Sequence, residues 1–202
     1  MKLYYMPGAC SLADHIALEW ANADYEACAV SRESLKQPEF LALNPMGSVP
    51  CLVDGDFVLT QNVAILHYLD EKYPQASLLG GKDLQTRANA MRWLAFCNAD
   101  LHGAFVGIFA PFRLIDDETA HANIQAKARE KITNLLNIAN NALQNKQYIA
   151  GVKTVADAYL FVILRWCVGV GIDLTPFANL VALMNNLMQD VGVKNAMQAE
   201  GL

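Results

Sequence analysis

No two of the five cysteines (Cys10, Cys28, Cys51, Cys97 and Cys167) form a C-x-x-C pair, and their number is odd. That spacing argues against a dithiol redox motif or a disulfide framework, and it matches no metal-ligand pattern. A reduced, cytoplasmic chain with no bound metal is expected. Charge is also scarce: charged residues make up 17% of the chain, and the formal net charge is −5. The basic residues are scattered, with no arm or stripe of them, which argues against nucleic acid as a partner. Long apolar runs are missing as well. Asp157 and Arg165 interrupt the most apolar stretch well short of a membrane span. The first residues, MKLYYMPG, lack the apolar run of about 7–15 residues that a signal peptide carries. There is no internal repeat and no low-complexity segment. Hydrophobic residues are abundant at 54%, ample for a packed core in a chain of 202 residues.

The two halves differ in pattern. Up to about residue 75, short strands alternate with helices. Lys2–Tyr5 reads as a strand, and Ser11–Asn22 as a helix with Leu12, Ile16 and Trp20 on one face. Glu26–Val30 follows as a strand, then a weaker helix at Leu35–Leu43. Cys51–Val53 and Phe57–Leu59 flank Asp54-Gly55, a hairpin signal, and Gln61–Tyr73 is a helix ended by Pro74. The helix between the first two strands makes them parallel, and the hairpin makes the last two antiparallel. The expected fold is α/β, a thioredoxin-like N-terminal domain with a four-stranded mixed sheet over residues 1–76. A turn-rich linker, PQASLLGGKD, precedes an all-α C-terminal domain over residues 84–202. Its first helix is expected as one continuous piece from about Leu84 to Phe109, with Leu84, Ala88, Met91, Leu94, Leu101, Phe105 and Ile108 toward the core.

Four local patterns carry possible chemistry. Cys10 falls at a helix start, where free N–H groups and the helix dipole favour an anion and lower a thiol's pKa. Ser11 can donate to a neighbouring thiolate. On position alone, Cys10 is equally a packed hydrophobe and Ser11 an N-cap. Val49-Pro50 enters a strand, and in this fold a cis bond there leaves Val49's backbone groups free for a peptide-like ligand; an ordinary turn proline is the alternative. Gln61-Asn62 begins a helix, with Asn62 as the expected cap and N–H groups that attract a carboxylate, or else a plain capping pair. His102 shares a stripe with Ala95, Asn98, Phe105 and Phe109 that can line a cleft or pack as structure. A fifth pattern, Thr154-Val155-Ala156-Asp157, reads as a structural capping box.

In order along the chain, MKLYYMPGACSLADHIAL, NPMGSVPCL, TQNVAILHYL, ADLH and TVADAYLFVILRW resemble the cytosolic glutathione transferases, most closely the bacterial beta class. The resemblance spans essentially the whole chain. It implies a homodimer that binds glutathione and conjugates it to a hydrophobic electrophile. Cys10, Ser11 and His102 are then the expected catalytic residues, with thiol–disulfide exchange through Cys10 as a further possibility. Lys36, Val49, Pro50, Gln61 and Asn62 are expected to hold glutathione. Tyr5, Phe105, Phe109 and Trp166 are expected to border the electrophile. Other glutathione-dependent chemistries on this scaffold (isomerase, reductase, dehalogenase) and a non-catalytic glutathione-binding protein are the alternatives. The chain departs from the family pattern in having Asn62, Ala95, Gly103 and Cys51 where other residues are usual.

Overall fold

A computed structural model describes residues 1–202. Strand β1 (Lys2–Tyr5) alternates exposed and buried side chains, and it forms the second rung of a four-stranded sheet ordered β2-β1-β3-β4. It pairs in parallel with β2 (Glu26–Ala29), as the intervening helix α1 (Leu12–Trp20) requires. Strand β3 (Cys51–Asp54) runs antiparallel to both β1 and β4 (Phe57–Thr60), joined to β4 by a tight turn at Gly55. Helix α2 (Pro38–Leu43) follows a single 3₁₀ turn at Ser34–Lys36. The sequence predicted one helix here, but Pro38 lacks an N–H and restricts Gln37 to extended backbone, so the chain restarts.

The sheet has an apolar layer on each side. On one side Leu35, Phe40 and Cys51 form a small cluster. On the other, α1 and α3 (Asn62–Lys72) join the main core, which continues into the helical domain. Helices α4 (Leu84–Ala95), α5 (His102–Phe109), α6 (His121–Ala142), α7 (Val155–Gly169), α8 (Ala178–Leu187) and α9 (Val191–Glu200) complete the chain. Helix α7 is buried continuously from Val155 to Leu164, as expected of a central helix. Its capping box forms as the sequence predicts: the Thr154 N–H donates to Asp157 Oδ2 at 2.9 Å. The Ile149 N–H donates to Oδ1 at 2.8 Å, so the same carboxyl also anchors the preceding turn.

The long first helix of this domain is not continuous α-helix. Between α4 and α5, Phe96–Leu101 widens into a π-helical turn. The added residue shifts the helical phase, and the buried stripe runs through Ala90, Trp93, Leu94, Cys97, Leu101, Ala104 and Phe105. Leu84 is 79% exposed and Ala88 is also exposed, against the sequence expectation. No helix is long and apolar enough to cross a membrane.

Candidate active site

A concavity of about 860 Å³ opens between the sheet domain and the α5–α7 face. Cys10, Lys36, Val49, Pro50, Gln61, Asn62, His102, Phe109 and Trp166 all line it. Ser11, Tyr5 and Phe105 do not. Ser11 is fully buried, and its hydroxyl is taken up locally: it accepts from Met6 N–H at 3.3 Å and donates to Met6 C=O at 3.5 Å. Tyr5 packs 5.3 Å from the His15 ring and donates to the Ala199 carbonyl at 3.3 Å. Phe105 lies behind the wall, its ring 5.2 Å from Phe109 and 5.4 Å from Trp166. The periodicity identified the right helix but not which aromatic faces outward.

The loop before α1 is held from both sides. Gly8 adopts φ 72°, a conformation natural to glycine. Its N–H donates to Glu200 Oε2 at 2.9 Å, and its carbonyl accepts from Trp166 Nε1 at 2.8 Å. Glu200 also meets the Nδ1 of His15 at 2.9 Å, with both side chains fully buried. The end of the chain thereby fixes the turn that presents Cys10. The sequence offered no sign of this link, because its partners are 185 residues apart or more.

Cys10 itself is buried, and its thiol donates to the Val49 carbonyl at 3.5 Å. Burial, aided by the neighbouring Asp14, pushes the thiol up to about 12. This reverses the expectation of a lowered pKa. The backbone N–H groups of Cys10 and Ser11, just before α1, do favour the anion, but desolvation outweighs them. The Val49–Pro50 bond is cis, and Val49 N–H has no protein acceptor. Gln61, not Asn62, occupies the cap position of α3, with φ 75° and ψ 118°. Such backbone is rare outside glycine, and strain of this kind concentrates at ligand sites. Asn62 is the first helical residue, and its side chain turns inward. It donates to Asp14 Oδ2 at 2.6 Å and to the Cys10 carbonyl at 2.9 Å, so only its backbone reaches toward the cleft. Asp14, buried with Oδ1 unpartnered, has its carboxyl held well above the ordinary range by burial. A carboxylate one turn past Cys10 inside an apolar stripe was the signal for it.

His102 projects from the first turn of α5, directly after the π-helical turn, with its ring 4.8 Å from Trp166. Burial lowers its pKa, so the ring is neutral at neutral pH. Arg32 and Arg113 also line the cleft beside Lys36, and no Asp or Glu does. None of the three cations pairs with a protein carboxylate. In a chain of net charge −5, the cleft is therefore selectively cationic. Phe109 and Phe112 are exposed, at 52% and 61%, and form an apolar edge opposite.

Two family models match this chain: "Glutathione S-transferase, N-terminal domain" over residues 1–71 and "Glutathione S-transferase, C-terminal domain" over residues 96–190. The chain belongs to the glutathione S-transferase family. It is 42% identical, over the full length of both chains, to glutathione S-transferase GST-4.5 of Xanthomonas campestris pv. campestris. Among solved structures, a sphingomonad glutathione S-transferase complexed with glutathione matches with a TM-score of 0.88 and 37% identity, covering all of both chains. The bacterial beta class enzyme of Sphingomonas chungbukensis matches with a TM-score of 0.88 and 36% identity, again over all of both chains. In glutathione transferase terms, the cleft spans the junction of the two family domains, with Arg32 and Lys36 on the sheet domain and Arg113 and the aromatic edge on the helical domain.

Proposed function

We infer that this chain conjugates glutathione to hydrophobic electrophiles. The observation that carries this is the division of the cleft. A peptide-like anion matches the sheet-domain side, and an apolar molecule matches the aromatic edge. Glutathione carries two carboxylates and one ammonium. Val49, with a free N–H, pairs with its cysteinyl segment in the manner of an added strand. Gln61 and the free N–H groups at the start of α3 receive the γ-glutamyl end. Lys36 and Arg32 receive the glycyl carboxylate. Phe109, Phe112 and Trp166 border the electrophile.

With Cys10 held as a neutral thiol, the nucleophile is the thiol of glutathione. The Cys10 S–H stays a weak donor, and His102 takes the proton from glutathione's sulfur. The high thiol pKa disfavours Cys10 as the attacking group in disulfide exchange. Residues 1–76 act as the glutathione-binding domain and 84–202 as the helical domain. The active form is a homodimer, and five free thiols suit a reducing cytoplasm.

Retention on immobilised glutathione, with elution by free glutathione, tests the binding side. Turnover of 1-chloro-2,4-dinitrobenzene tests conjugation. Retention without turnover on a panel of electrophiles supports the binding-protein alternative, and no retention overturns the reading.

A further inference from the structure

Tyr159 lies in α7, fully buried and outside the cleft lining. Its hydroxyl is nonetheless the junction of three polar side chains. It lies 2.7 Å from Nδ1 of His102, 3.0 Å from Oδ1 of Asn98 and 3.5 Å from Oδ1 of Asn62. The orientation of Asn62 follows from its other contacts. Its amide nitrogen faces the Cys10 carbonyl and the Asp14 carboxyl, so its oxygen is the atom left for Tyr159.

A phenol has one proton to give. With two amide oxygens on one side, that proton points toward them, and an oxygen lone pair turns to His102. We propose that Tyr159 sets the tautomer of His102: Nδ1 carries the ring proton and donates it to the Tyr159 oxygen, leaving Nε2 unprotonated toward the cleft as the base for glutathione's thiol. The opposite tautomer would set the phenol oxygen against two amide oxygens, acceptor facing acceptor, in a buried site where unmade hydrogen bonds are costly. His102 Nε2 has no protein partner, and it is not among the buried atoms that lack one, so it is open to solvent. The ring is neutral at neutral pH because burial lowers its pKa, so it holds a single proton to be placed.

The proton inventory closes. The proton of the glutathione S–H moves to Nε2, and the sulfur keeps the bonding pair. The thiolate attacks the electrophile, the S–C bond forms, and the leaving group departs with its electron pair. The Nε2 proton then passes to the leaving group or to water. Nδ1–H stays on the Tyr159 oxygen throughout. Tyr159 touches no reactant and is a positioning residue.

The proposal rests on the glutathione reading for the identity of the thiol, but its test does not. Long-range ¹H–¹⁵N spectra of histidine-labelled enzyme at pH 8, with His102→Gln assigning the ring, read the tautomer without any substrate. Protonated Nδ1 and bare Nε2 are expected. In Tyr159→Phe the ring should move to the Nε2–H form, and kcat for 1-chloro-2,4-dinitrobenzene should fall by about tenfold or more, with KM for glutathione within about twofold. An Nε2–H ring in the unmodified enzyme overturns the proposal. So does a Tyr159→Phe variant in which the tautomer change and the kcat loss do not occur together. If Tyr159→Phe does not fold, the spectrum of the unmodified enzyme decides alone. Failure to bind immobilised glutathione would defeat the functional reading instead and leave the tautomer result standing.

Discussion

At the scale of single residues, the site was legible where local punctuation marks it. Cys10 at a helix start, Val49-Pro50 before a strand, Gln61 before a helix and His102 on an offset stripe all line one cleft. Direction was not legible. Ser11, Tyr5 and Phe105 lie in segments that border the cleft, yet their side chains turn inward, because spacing sets a face but not its neighbours. Tyr159 was hidden for the same reason, as one polar atom within a helix that reads as apolar almost all round. The state of Cys10 needed the fold, since the helix start favours its anion and burial overrides that. At about 12, roughly one Cys10 thiol in ten thousand is ionised at pH 8. Alkylation of Cys10 by iodoacetamide, followed by mass spectrometry, should rise about tenfold per pH unit from pH 7 to 10. A plateau below pH 9 would refute the buried-thiol assignment. Gln61 supplies a second residue-scale prediction. Gln61→Gly relieves its positive φ and should add about 1 kcal/mol, or about 2–4 °C in Tm. The same change should raise KM for glutathione about fivefold through loss of the side-chain contact. An unchanged KM would remove Gln61 from the binding site.

At the scale of elements, the strands, the hairpin and most of the helices followed from periodicity and turn residues. Two features did not. The π-helical turn at Phe96–Leu101 has no breaker residue to announce it, and the link from α9 to the Gly8 turn joins opposite ends of the chain. Glu200 is fully buried against His15 and Gly8 N–H, so Glu200→Ala should destabilise the fold by about 3–5 kcal/mol. A denaturant midpoint matching that of the unmodified enzyme would count against this clamp. The α7 capping box predicts a pH effect. Burial raises Asp157 to about 6 from its ordinary 3.8, although four hydrogen bonds oppose the shift. Between those values the unfolded chain has released this proton while the folded chain keeps it. The contribution is therefore full below about pH 4 and is lost as pH rises through about 6. Measured against Asp157→Asn, the unmodified enzyme should lose about 3 kcal/mol of relative stability between pH 4 and 7. A constant difference across that range would show that Asp157 titrates normally.

At the scale of the whole molecule, a sheet domain supplies two cations and free backbone while a helical domain supplies aromatics, a neutral imidazole and a third cation, and the cleft exists only where they meet. Neither half of the sequence showed that electrostatic contrast. Arg32 and Arg113 lie in turns of ordinary composition, and only the fold brings them to the cleft that Lys36 also lines. The proposed homodimer should sediment at twice the chain mass of 22.2 kDa; a single-chain mass would refute it. The central claim is that the cleft activates glutathione's own thiol while Cys10 stays neutral. Conjugation by Cys10→Ala, read together with the intact mass of the unmodified enzyme after turnover, tests this most directly. The variant should keep kcat/KM within about tenfold, and the enzyme should carry no covalent glutathionyl group. Loss of activity beyond about a hundredfold, together with a glutathionyl adduct on Cys10, would contradict it.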